Sequence, residues 1–380
     1  MQSPYAVIIH TPQELNHSSY IQTGLFELAN AGIIKVKVKF SIKINRGAFS
    51  IDKNGNTLVD NRPFPKASYY TLIDSSTNKK ISFTTDLYDG ASYFSKHALE
   101  NCDFYFKRNY EDRYVDLLGG MAKAKIYKLG ITFGTHSENK KENFKFYMGL
   151  FASNLLLNIK WDRLLIKRLA KTYSSQKHHW KFINTTRKIG RFEALNEKTY
   201  DTILFQTRCF LHEDSKDVKQ IHQQRHRLIN LLRNEFPQRF SGGFLPSKIS
   251  NELYGDALTN VPTAPEEYLD AVKKAGIVIY TRGLVYSPAW KMAEYLSQGK
   301  VIIAEPLTAE LPVPLSDGKE VLYFHSDEEL IEKIKIVSED DALAKKLSQN
   351  ARAYFEEHVH PAQNVKRILE LMLNKSLDQS

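Results

Sequence analysis

Lys291 and Glu294 lie three residues apart in the block 288–297. On a helix that spacing places a cation and a carboxylate on one face. A carboxylate accepts from paired hydroxyls, and a cation holds an anion, so the pair suits a ligand that carries both. Pro288 fits the first turn of such a helix and Gly299 its end. Arg282 follows the apolar run 277–280, and Ser287 precedes the helix, whose first N–H groups are unpaired and attract anions. Arg208 stands at the matching point after the run 200–206, and Gly242-Gly243 lie within a further run at 240–245. Cations placed in this way stabilise a leaving group on which negative charge grows. Each residue has a plainer reading beside this one. Lys291 with Glu294 is also an ordinary exposed pair worth a few tenths of about 1 kcal/mol, Arg282 a loop salt bridge, and Gly243 a simple turn.

A second set of candidates lies in the first third. His10 ends the run 5–10, Asp86 and Asp89 follow the run 80–85, and Lys107-Arg108 follow 102–106. Asp86, Asp89 and His10 are the residues offered as a general base, which must take a proton from an attacking hydroxyl. Asp89, standing before Gly90, also reads as a turn residue. Lys107-Arg108 reads equally as an anion site or as a solvated loop. No Asp-x-Asp arrangement for a metal is present.

These residues need strands to end beneath them. Short β-branched runs alternate with helical periods through most of the 380 residues, the signature of parallel βαβ units. The pattern predicts helices over 13–31, 91–100, 216–234, 266–274, 327–337, 340–358 and 361–373, and a wet-faced strand within 33–44. A long amphipathic period spans 143–173, and 174–198 has no clean period and reads as an interdomain connection. With 42% apolar and 12% aromatic residues the chain can bury a large core, enough for two domains. No apolar run approaches the roughly 18 residues of a membrane span. The first residues, MQSPYAVIIHTPQELN, lack the layout of a signal peptide, so a cytoplasmic protein is expected. Cys102 and Cys209 suggest neither a disulfide framework nor a zinc site. The net charge of +10 is concentrated: residues 151–200 hold eleven Lys/Arg against three acids. Such a patch draws nucleic acid, anionic lipid or a phosphorylated substrate. It carries no recognised nucleic-acid module and little aromatic interleaving, so nucleic acid is not expected.

In the order of its parts the last half of the chain resembles the C-terminal domain of two-domain GT-B glycosyltransferases, especially family-4-like and CgeB-like members. The loop 282–287, Glu294, the stop 296–299, the strand 301–304, the segment 318–324 and the helix 327–336 carry the likeness. It implies two Rossmann-like, doubly wound α/β domains facing a cleft. Residues 1–190 would bind acceptor, 191–360 nucleotide sugar, and a terminal helix in 361–380 would cross back. It implies Glu294 on the ribose, with Lys291, Arg282, Arg208, Ser287 and Gly243 about the diphosphate, and no metal or other cofactor. Family-4 retaining enzymes have a second glutamate eight residues earlier. Here that position is Tyr286, so stereochemistry stays open.

The expected function is sugar transfer from a nucleotide sugar to a glycan or lipid-linked acceptor, in surface polysaccharide or lipopolysaccharide assembly, with peripheral membrane contact through 151–191. The alternatives are a nucleotide-sugar epimerase of the same fold, or a non-catalytic basic protein on anionic membrane or nucleic acid.

Overall fold

The computed structural model describes residues 3–11, 13–41, 46–63, 66–138, 144, 148–149, 151–153, 155–156, 159–195, 200–211 and 215–377. The chain divides into two α/β units. One holds 1–191, 309–312 and 358–380, the other 192–308 and 313–357.

In the first unit the strands run β1 (Tyr5–Thr11), β2 (Lys35–Phe40), β3 (Arg46–Ile51), β4 (Thr57–Pro63), β5 (Ala67–Asp74), β6 (Lys79–Asp86), β7 (Tyr93–Ser95), β8 (Phe104–Lys107) and β9 (Ile126–Lys128). Six form a sheet in the order β2-β1-β5-β6-β8-β9, and β4-β3-β7 form a smaller one. The larger sheet is mixed. β1 is parallel to β2 but antiparallel to β5, and β5 is antiparallel to β6 through the turn that joins them. A four-residue turn at 75–78 cannot accommodate a crossover, which parallel pairing would require. The helix expected over 91–100 is split, because Tyr93 and Phe94 pair with β3. The Ser95 hydroxyl then accepts the Ala98 N–H and starts the helix Lys96–Asn101.

The expected amphipathic period over 143–173 and the aperiodic stretch after it also resolve differently. Several residues of 143–158, and 196–199 of the supposed connection, lie outside the described residues. The Asp162 carboxylate accepts the Leu164 N–H, and one helix then runs Leu165–Thr186. Its inner face, Leu169, Thr172, Gln176 and Trp180, keeps a helical spacing while only half-buried, and Trp180 meets His136 edge-on at 5.3 Å. Mixed polar and apolar residues on that face hid the period from a hydrophobicity pattern.

The helix Pro361–Leu373 belongs to this first unit and lies along the helix Leu15–Asn30. Asn364 donates to the Leu129 carbonyl (2.9 Å) and to the Tyr20 hydroxyl (3.2 Å).

The second unit holds β10 (Ile203–Thr207), β11 (Phe240–Phe244), β12 (Ile277–Tyr280), β13 (Val301–Ala304) and β14 (Leu322–Tyr323), all parallel, in the order β11-β10-β12-β13-β14. Strands buried on both faces read as unbroken apolar runs, which is why β12 and β13 were legible. The helices Lys216–Glu235, Asp327–Glu339 and Asp341–Tyr354 pack Leu228, Ile229, Leu232, Leu330, Ile334 and Leu347 onto the sheet. The chain leaves β10 first toward β11 and then crosses back to β12. The order therefore reverses between β10 and β12, the place where open parallel sheets bind ligands.

Gly24 marks the closest approach of its helix to Pro361–Leu373. A Cβ there would overlap the Pro361 carbonyl and the Val365 side chain. Gly24→Ala should cost about 1–3 kcal/mol through overpacking. The check is the urea midpoint of the full chain, and an unchanged midpoint would show that the two helices separate freely.

Candidate functional site

β10 and β12 pair only through Ile203–Ile277 and Leu204–Val278. Their C-terminal ends therefore have no ladder between them, and side chains take up the backbone groups there. The Lys291 ammonium donates to the Gln206 carbonyl. Arg225, from the middle of Lys216–Glu235, donates to the Arg208 carbonyl (2.9 Å), to the Arg282 carbonyl (3.1 Å) and to the Thr281 hydroxyl (3.4 Å). One buried guanidinium thus fixes the loop after each strand.

The other sequence-predicted residues gather at the same end. Arg282 is salt-bridged to Asp217 at 2.6 Å, its guanidinium 4.0 Å from the centre of the Tyr286 ring, and its N–H donates to Glu305 at 2.8 Å. Asp217 also accepts the Val285 N–H at 2.9 Å. Val285 and Tyr286 have φ of 51° and 59°. That left-handed conformation costs a β-branched residue about 1–3 kcal/mol, and it is found where surrounding structure enforces it. Ser287 is buried in this loop. Glu294 follows on Trp290–Ser297 at only 5% exposure, so it is not half of an exposed surface pair. Arg208 reaches solvent beside Phe210.

Gly243 departs from its expected role. Its φ is +138°, and a Cβ would press on the backbone of Ala257 and Leu258. The close approach it permits is therefore to the protein's own chain and not to a ligand. Two further residues went unassigned from sequence. Arg225 was detectable as the one cation on the stripe Val218, Ile221, Arg225, Leu228, Leu232 that faces the core. Gln206 is buried, and its side-chain oxygen has no hydrogen-bond partner among the described residues. No pattern marked it.

In the first unit Asp86 and Asp89 fall in one cluster, and His10 does not join it. Asp86 has 0% exposure, accepts from the Tyr105 hydroxyl (2.6 Å), Lys107 (3.0 Å) and the Tyr88 N–H (2.9 Å), and cannot meet a substrate hydroxyl. Its proposed role as base is replaced by that of counter-ion to Lys107. Burial lowers the Lys107 pKa against the pull of Asp86. Asp89 is paired with Lys66 (2.7 Å) and with Arg108. Burial alone would raise its carboxyl, but these two charges outweigh that and hold it below the usual carboxylate value. His10 is half-buried in β1, its Nε2 2.9 Å from the Thr71 hydroxyl.

Residues 225–370 match the family model described as glycosyl transferase-like. No curated protein matches the chain. Among solved structures, the C-terminal domain of the glycosyl transferase group 1 protein LpcC from Francisella tularensis is 14% identical, over 40% of this chain and 83% of that one, with a TM-score of 0.29. HepE from Anabaena, in complex with UDP, is 14% identical over 74% and 68%, with a TM-score of 0.36. A TarM variant from S. aureus is 10% identical over 98% and 99%, with a TM-score of 0.38.

Within the matched segment Lys291 carries the largest electrostatic load among the candidate residues. Burial lowers its pKa from 10.5 to about 7, opposed by Glu294 and reinforced by the Arg225 and Arg208 charges. Its folded pKa lies below its unfolded one, so the unfolded chain binds more protons between those values. The cost of the buried charge is present in full below about pH 7 and is relieved as pH rises toward 10.5.

Two predictions follow from these environments. Asp86→Ala, which strands the Lys107 ammonium in the core, should destabilise the chain by about 3–5 kcal/mol. A variant of unchanged melting temperature that has lost activity would restore Asp86 as a base. For Lys291→Met, the change in Tm relative to wild type should be more favourable at pH 6 than at pH 9. A difference that does not vary with pH would show that the lysine keeps its ordinary pKa and stays charged in the folded chain.

Proposed function

We propose that the chain is a glycosyltransferase whose second unit binds a nucleotide sugar. The sugar passes to a glycan or lipid-linked acceptor in surface polysaccharide or lipopolysaccharide assembly. One observation carries the reading. Beside the point where the parallel sheet reverses direction, Lys291 lies near enough to the buried Glu294 and to Arg208 for both to act on its charge. Arg282 stands on the adjoining loop, and these residues lie within and beside the segment that matches the glycosyl transferase-like family. Glu294 accepts from the two ribose hydroxyls. Lys291, Arg282 and Arg208 face the diphosphate, and Ser287 with the first N–H groups of Trp290–Ser297 adds donors.

As the glycosidic bond breaks, charge accumulates on the departing nucleoside diphosphate. Cations already held in place by Asp217 and by the Gln206 carbonyl stabilise that charge without rearranging. In this reading the side chains do the work of a metal ion, so activity should survive chelation by EDTA.

The test is a thermal-shift panel of UDP, GDP, CMP and dTDP with their common sugars. A ligand at a hundred times its Kd stabilises the folded state by about 2.7 kcal/mol, several degrees in Tm. One nucleotide should give this shift, and Glu294→Ala should lose it. No shift with any nucleotide would overturn the reading.

The same site fixes a pH dependence. A diphosphate favours the charged Lys291, so affinity should be greatest below about pH 7 and should fall by up to about tenfold per unit above it. Isothermal titration at pH 6 and pH 8 measures this, and equal affinities would remove Lys291 from the diphosphate contact.

A further inference from the structure

The expected membrane contact has a specific physical form in the segment 159–177. Trp161 is 90% exposed, Ile166 82% and Leu164 57%. Soluble proteins seldom leave large apolar side chains clustered in water unless the patch meets another surface. Ile159 and Tyr173 are exposed beside them, and Ile166, Ala170 and Tyr173 follow one another along the outer face of Leu165–Thr186. Lys160, Arg163, Lys167, Lys171 and Lys177 are exposed around them. The acid of this stretch, Asp162, is neutralised by Arg168 at 2.9 Å and also accepts the Leu164 N–H, which holds the turn that carries Trp161. Among the described residues, no ion pair engages the other five cations. No described helix is long and apolar enough to cross a membrane.

We propose that this face of the first unit docks on an anionic lipid bilayer. Trp161, Leu164 and Ile166 enter the boundary between headgroups and acyl chains, and Lys160, Arg163, Lys167 and Lys171 lie on the phosphates. Three features select a membrane over a nucleic acid. The apolar side chains are aliphatic as well as aromatic, whereas base stacking uses only rings. A tryptophan is amphipathic and favours the lipid interface. The cations flank the apolar residues, as they do on helices that lie in the interface plane. The inference stands apart from the proposed donor site, and neither depends on the other.

The test is co-sedimentation of the full chain with vesicles of phosphatidylcholine alone and with about a third phosphatidylglycerol, where each cation near the surface adds about 1 kcal/mol. Wild type should bind the anionic vesicles and not the neutral ones. Lys167→Gln with Lys171→Gln should weaken binding by about thirtyfold, the ratio equivalent to that energy for two lysines. Trp161→Ser with Ile166→Ser should weaken it by at least tenfold, and Trp161→Ser alone should abolish the blue shift of tryptophan emission on mixing. All four side chains are at least half in water or on the solvent face, so the variants should melt like wild type, and their Tm is measured alongside. Binding that is indifferent to Trp161 and Ile166 would show a purely electrostatic patch and overturn the proposal. So would failure to bind anionic vesicles, or stronger binding to single-stranded RNA than to lipid.

Discussion

The second unit depends on one buried guanidinium. Two parallel strands that part after two residue pairs leave their last carbonyls without ladder partners, and Arg225 supplies three donors across that gap. Its burial lowers even an arginine pKa, to about 10, with the Arg208 charge adding to the effect. A guanidinium tolerates this where an ammonium would lose its proton, because its charge is spread over a planar fork that matches several acceptors at once. The loops after β10 and β12 are therefore set by a side chain from neither strand. Arg208 and Arg282 are held by their own carbonyls, while the Arg208 side chain reaches solvent and that of Arg282 pairs with Asp217.

The same principle governs the first unit with the opposite outcome. At the ends of β6 and β8 the cation, Lys107, is enclosed with Asp86, the Gly90 carbonyl and the Tyr93 carbonyl at 2.6–3.2 Å. Every donor of that ammonium is used within the unit, and the pair serves to close the strand ends. Asp89, three residues after Asp86, and its partner Lys66 keep about a third and a quarter of their side-chain surface in water. Charged residues at strand ends therefore do not by themselves indicate chemistry. Which of them reach solvent is decided by packing.

That distinction explains what could be read from the sequence. Parallel strands covered on both faces announce themselves as apolar runs, and β10, β12 and β13 did so with their helices between them. Glu294 and Lys291 were legible because helical spacing alone places them together. Asp86 was misread because a carboxylate after a strand looks the same whether its counter-ion is a ligand or a lysine 21 residues later. Gly243 was misread because sequence records a need for a missing Cβ without recording what presses on it. The mixed sheet could not be foreseen from strand propensities, which are alike for parallel and antiparallel neighbours. There the length of the connecting turn is the informative feature.

The charges left at the sheet end form an unbalanced set. Arg208 and Arg225 both depress the Lys291 pKa, and Arg208 depresses that of Arg225, while Glu294 and Glu305 pull the other way. Gathering like charges in a partly desolvated place opposes folding. The left-handed Val285 and Tyr286, held by Asp217, add backbone strain to the same loop. Part of the cost returns as hydrogen bonds inside the unit, since Arg225 ties the two loops and Lys291 holds the Gln206 carbonyl. Backbone strain and gathered like charges of this kind are commonest at sites that bind or react. On the proposed reading, an anion would relieve the repulsion among Arg208, Arg225 and Lys291, and hydroxyls beside it would meet the buried Glu294.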